Sequence, residues 1–187
     1  MIKRALAAMA ALTLLAACGQ GSEVQPKADA EQAPAVGERY VNSLDEDVAG
    51  NYVPLEAIQF QNWRLKHIFI GGPHTFKAWM DGAHASAGAP ATFVFEDMQS
   101  PSADLASPEG GRTLTVVAAA FDISKDRISI DAVSGGVGVV RFEGRLDLNA
   151  LDTSRRNLGH EGAVLTGQLK IGHQTFDNVR LKWWTGG

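Results

Sequence analysis

Few groupings of side chains in this sequence could do chemistry. His67 and His74 flank Gly71, Gly72 and Pro73. If that turn closes a hairpin, the two imidazoles fall on neighbouring rungs with His84 in reach from the following loop, a set able to hold Zn²⁺ or Cu²⁺. A register shift of one residue would send His74 to the other face. No cysteine and no carboxylate at fixed spacing completes the set, so surface or packed histidines are expected and no metal is assigned. Asp122, Asp126 and Asp131 lack EF-hand spacing and read as the polar end of a hairpin. SGGVGVV, Ser134 to Val140, joins two strand patterns instead of opening a helix, which makes it a turn and not a phosphate cradle. GxSxG, HExxH and GxxxxGK[ST] do not occur, and no catalytic residue is expected. What remains is the chain's one thiol, Cys18, in LAACGQG directly behind an apolar run.

That run has the parts of a secretory signal: the cations Lys3 and Arg4, an apolar stretch from Ala5 to Ala17, then small residues. At about 13 residues it is too short to span a bilayer, which needs about 20. Leu15, Ala16, Ala17 and Cys18 resemble the lipobox of bacterial lipoproteins. The resemblance implies cleavage before Cys18, diacylation of its sulfur with fatty acids such as palmitate, and in many Gram-negative species a third acyl chain on its amine. Each buried methylene contributes about 0.8 kcal/mol, so two or three chains anchor a protein essentially for good. Cys18 so committed is no disulfide partner, metal ligand or nucleophile. The residue after it is Gly19 and not the Asp that retains enteric lipoproteins at the inner membrane, so an outer-membrane location facing the periplasm is expected. The plainer alternative is an ordinary signal peptide with Cys18 a spare thiol.

From Gly19 to about Gly50 large apolar residues are sparse, and Gln25, Pro26, Lys27, Ala28 and Asp29 typify the composition. Such a stretch is expected to act as a tether, with a reach of about 30 Å for about 30 residues. A short helix near Tyr40 to Val48, capped by Asn42 or Ser43, is the alternative. The expected divisions are therefore a signal peptide at residues 1–17, lipidated cysteine and linker at 18–50, and a globular domain at 51–187. The chain carries 17 Lys and Arg against 21 Asp and Glu. Losing Lys3 and Arg4 leaves 15 against 21, a net charge of −6. That balance argues against a nucleic-acid partner and against broad adhesion to anionic lipid, while leaving room for a local basic patch. Arg155 and Arg156, adjacent cations, read as part of a solvated loop.

From Val53 onward the periodicity is mostly two. In NWRLKHIFI, Trp63, Leu65, His67 and Phe69 share one face, and HTFKAWM continues the alternation after the glycines as the second strand of a hairpin. Further strands are expected at Ala91 to Asp97, Arg112 to Ile123, Asp126 to Ser134, Val137 to Leu148, Ala163 to Ile171 and Phe176 to Trp184. The expected class is all-β, an antiparallel β-sandwich or small β-barrel. Gln99 to Gly111 and Ala150 to Gly162 read as long loops. Trp183 and Trp184, being adjacent on a strand, must face opposite sides; ordinary core or edge packing is the first expectation for them, and the alternative is that one is partly exposed and lines a ligand mouth, packs on a partner or rests on a membrane interface.

Phe142 to Leu158 followed by Leu165 to Leu181 resembles the strand-and-loop rhythm of YceI-like periplasmic proteins, a lipocalin-shaped barrel family that binds isoprenoid chains. The resemblance covers under a quarter of the chain. It implies an apolar or lipid-like small molecule as one alternative ligand and transfers no residue roles. The leading expectation is a membrane-anchored, non-enzymatic binding or assembly module with an envelope protein as partner and no cofactor.

Overall fold

The computed structural model describes residues 39–83, 88–99, 112–125, 127–158 and 160–185. Ten strands occur in it: β1 (Tyr40–Asn42), β2 (Gly50–Pro54), β3 (Gln59–Phe60), β4 (Trp63–Ile70), β5 (Ala91–Asp97), β6 (Thr113–Ile123), β7 (Ile128–Ser134), β8 (Gly138–Leu146), β9 (Leu165–Ile171) and β10 (Gln174–Trp184). Eight of them close into an antiparallel barrel in the order β6, β5, β4, β2, β10, β9, β8, β7 and back to β6. The alternation that makes these strands fills the lumen: Ile68, Phe93, Phe95, Ile130, Phe142 and Leu169 are fully buried. Eight strands enclose a space that side chains can just fill. The outer wall carries charges, so the polarity is the reverse of a membrane-spanning barrel. No helix among the described residues is long and apolar enough to cross a membrane.

Closure needs a corner, and two glycines make it. Gly144 on β8 sits opposite Gly167 on β9, where the backbones approach so closely that a Cβ on Gly167 would run into the Glu143 carbonyl and one on Gly144 into that of Thr166. Next to them β10 bulges between Phe176 and Val179, with Asn178 in the left-handed region at φ 56°. A bulge of this kind bends its strand and increases the local twist.

Two segments expected as strand and loop are helices. HTFKAWM lies in α1 (Pro73–Met80), and β4 pairs with β5 instead of folding back on it. Proline at the first helical position has its φ already set and loses no hydrogen bond there. Phe76 and Trp79, three apart, then share the buried face. The Phe76 ring meets Phe121 edge-on at 4.9 Å, and Trp79 meets Tyr40 edge-on at 6.2 Å, so α1 packs over one end of the barrel. The stretch read as a loop from Ala150 contains most of α2 (Leu148–Arg156), capped by the Asp147 carboxylate, which accepts from the Ala150 amide at 3.0 Å. Leu151 and Ser154 are its buried positions.

Residues expected in the tether also belong to the fold. Tyr40–Asn42 pair in parallel with Phe121–Ile123, Leu44 and Val48 are buried, and the Tyr52 hydroxyl donates to the Val48 carbonyl at 2.7 Å. Burial raises the Tyr52 phenol above its ordinary range; Arg155 opposes this weakly and Asp47 adds to it. The segment forms a strand and not the alternative helix because β6 runs on past the end of β5 and offers an open edge. β5 takes Thr113 to Val117 of that edge and β1 takes Phe121 to Ile123.

Candidate binding surface

On β4 the sequence alternation breaks. Leu65 pairs with Phe95 and His67 with Val94, so one extra residue, Lys66, is accommodated in a bulge. The inward set is therefore Leu65, Ile68 and Ile70, and not Leu65, His67 and Phe69 as the simple period suggested. Lys66, His67 and Phe69 consequently stand on the outer wall. Register places Phe69 and His67 in two cross-strand rows. Trp184 lies opposite Asn51, Asn51 opposite Phe69, Phe69 opposite Thr92 and Thr92 opposite Val117. Beside it, Lys182 faces Val53, and His67 faces Val94, which faces Thr115.

Along these rows apolar groups alternate with polar ones: Trp184 is 43% and Val117 44% exposed, and Val53, Phe69 and Val94 are half-buried. Between Val53, Lys66, His67, Lys182 and Trp184 runs a groove of about 270 Å³. Burial lowers the His67 pKa, and the neighbouring Lys66 charge lowers it further. Lys182 donates to Glu161 at 2.5 Å. The adjacent tryptophans have separate roles. Trp183 is pinned, its indole N–H donating to the Ala49 carbonyl at 3.0 Å with the Arg155 guanidinium 5.4 Å above its ring, while Trp184 faces out.

The wall formed by β6, β7 and β8 differs. There Arg39 pairs with Asp122 at 2.9 Å, Arg127 with Glu143 at 3.5 Å, and Arg141 with Asp131. A larger cleft of about 890 Å³ opens beside α2, with Glu46, Asp47, Asp147 and Asp152 along it. Two of these carboxylates serve the local fold: Asp147 caps α2, and Asp47 accepts from the Ala49 amide at 2.9 Å.

Cys18, His84 and Asp126 lie outside the described residues. Of the histidine set, His67 stands on the outer wall and His74 is the second residue of α1, so the hairpin that would have stacked them does not form. Among the described residues, no group of three or more His, Cys, Asp or Glu side chains is arranged to hold a metal ion. Asp122 and Asp131 each hold an arginine, and Gly135 and Gly136 form a turn in which the Ser134 hydroxyl accepts from the Gly136 amide at 3.1 Å. Arg155 and Arg156 are in the last turn of α2, Arg155 reaching the Ala49 carbonyl at 3.3 Å.

One pair was not legible in the sequence. Ser154 Oγ lies 3.2 Å from His160 Nδ1, and the Gly162 amide donates to the same nitrogen at 3.3 Å. Nδ1 is thus the acceptor and Ser154 the donor. Ser154 is 2% exposed, and the pair ties α2 to the chain leading to β9.

No family model, curated protein or solved structure matches this chain.

Proposed function

We propose that the chain is a bacterial envelope lipoprotein, anchored through acyl chains on Cys18 in the outer membrane and facing the periplasm, whose barrel acts as a non-enzymatic binding or assembly module. The observation that carries the binding half of this reading is where the apolar surface lies. The lumen is occupied by the molecule's own aromatic and aliphatic side chains, yet large apolar groups, Trp184 and Val117 among them, stand on the outer wall. Other exposed apolar groups, Val133 on β7 and Leu158 after α2 among them, stand elsewhere; what supports this wall as an interaction surface is that Phe69, Val53 and Val94 lie in the same cross-strand rows as Trp184 and Val117. The alternative, a YceI-like carrier of an apolar or lipid-like molecule, needs room in the lumen that Phe93, Phe95 and Phe142 fill.

The anchor half rests on the Leu15 to Cys18 signal and is tested by labelling. Cells fed radiolabelled palmitate should yield a labelled chain in the outer-membrane fraction, and Cys18→Ser should be unlabelled, unprocessed and lost from that fraction. A wild-type chain that takes up no palmitate would overturn it.

A further inference from the structure

We propose that the wall carrying Trp184 rests on the leaflet that holds the Cys18 acyl chains, with an anionic phospholipid headgroup seated in the groove between Lys66 and Lys182. This rests on the anchor reading above and adds to it an orientation of the barrel.

Two observations point to lipid as the occupant. The first is composition. The groove joins an exposed indole to two ammonium groups beside half-buried valine, the pairing of amphipathic aromatic and cation found at bilayer surfaces. Lys66 is exposed and pairs with no carboxylate among the described residues, while Lys182 keeps donors to spare beyond its bond to Glu161. On the β7 and β8 wall, by contrast, Arg127 and Arg141 each face a carboxylate, leaving little for a phosphate to gain.

The second is chain length. Twenty residues separate Cys18 from Arg39, and a chain of that length spans at most about 70 Å. A domain held that close meets the bilayer as an intramolecular partner, at an effective concentration of about millimolar. A patch too small to bind membranes alone then suffices to orient the barrel, consistent with a net negative domain that has no broad affinity for anionic lipid.

The test uses the lipidated chain, purified from membranes and reconstituted into phosphatidylcholine vesicles with and without phosphatidylglycerol. With phosphatidylglycerol present, lipids brominated near the headgroup should quench the tryptophan emission, and Trp184→Phe should lose most of the quenchable part. Lys66→Glu should reduce the quenching severalfold. Because the sulfur of Cys18 is acylated, Val117→Cys supplies a single free thiol. A polarity-sensitive dye there should shift to the blue on vesicles, while the same dye at Glu143→Cys should not. If the chain floats with the vesicles but Trp184 stays unquenched and the Val117 dye stays in water, the docked orientation is wrong and the anchor stands. A dye shift that follows protein density instead of phosphatidylglycerol would give the wall to a second copy of the chain and also overturn the proposal. A chain that does not float at all overturns the anchor, and the orientation with it.

Discussion

The two sides of this barrel are built on one core and finished differently. Inside, the β6–β7–β8 wall contributes Ile130 and Phe142 and the β2–β4–β5 wall contributes Ile68 and Phe93, all fully buried. Outside, the first wall pairs arginine with carboxylate across strands, and the second, extended by β10 on one side and by the Val117 end of β6 on the other, presents Trp184, Phe69, Val53 and Val117 around a groove flanked by Lys66 and Lys182. The inward positions obey a packing constraint common to both walls. The outward ones are free to differ, and that freedom is where a binding function can be written. The bulge at Lys66 sharpens the contrast, since it turns His67 and Phe69 outward and gives the core Ile68 and Ile70.

The largest effects should come from the shared interior and should not distinguish the walls. Phe142→Ala and Phe93→Ala should each cost about 3–5 kcal/mol in denaturant unfolding, one from each side. A loss confined to one of them would mean the two walls do not share a single core. Asp147→Ala removes the cap of α2 and should cost about 1 kcal/mol, read by the same unfolding curve. On the charged wall, Asp131→Asn, which leaves Arg141 unpaired, should cost about 1 kcal/mol or less and lose its effect as salt rises. Trp184→Phe on the other wall should leave the unfolding midpoint unchanged, since it removes a surface group.

A small effect is expected of pH at His67. Its folded pKa is depressed below the ordinary 6.5 by burial and then by Lys66, so between the folded value and 6.5 the unfolded chain binds more protons than the native one. Stability contributed by this site is fully present above about pH 6.5 and falls as pH drops toward the folded value. Comparing wild type with His67→Gln by urea unfolding across that window should show a shallower acid-side slope in the variant.

Much of the strand order was legible in the sequence. ATFVFED spans the residues of β5, and the strands read for β6 to β10 lie within a few residues of their observed ends, because each alternates over seven or more positions and is bounded by turn residues. Legibility failed where the signal was short or local. HTFKAWM alternates, but its Phe76 and Trp79 equally make a helical pair, and Pro73 opens the helix instead of ending a turn. α2 buries only Leu151 and Ser154 along a polar run and so showed no stripe. YVN is too brief to announce itself as β1. The candidate surface was visible only in part. Adjacent tryptophans required one to face outward, yet the groove is assembled from β2, β4 and β10, which are distant in sequence, and from a one-residue bulge that no period records.

The central claim is that the inside of this barrel is already full and the outside does the binding. Native mass spectrometry of the mature chain, released gently from membranes, tests it most directly. The expected result is one species starting at acylated Cys18 with nothing further retained. An apolar molecule held at one per chain, still held by Lys66→Glu and lost only on unfolding, would contradict it.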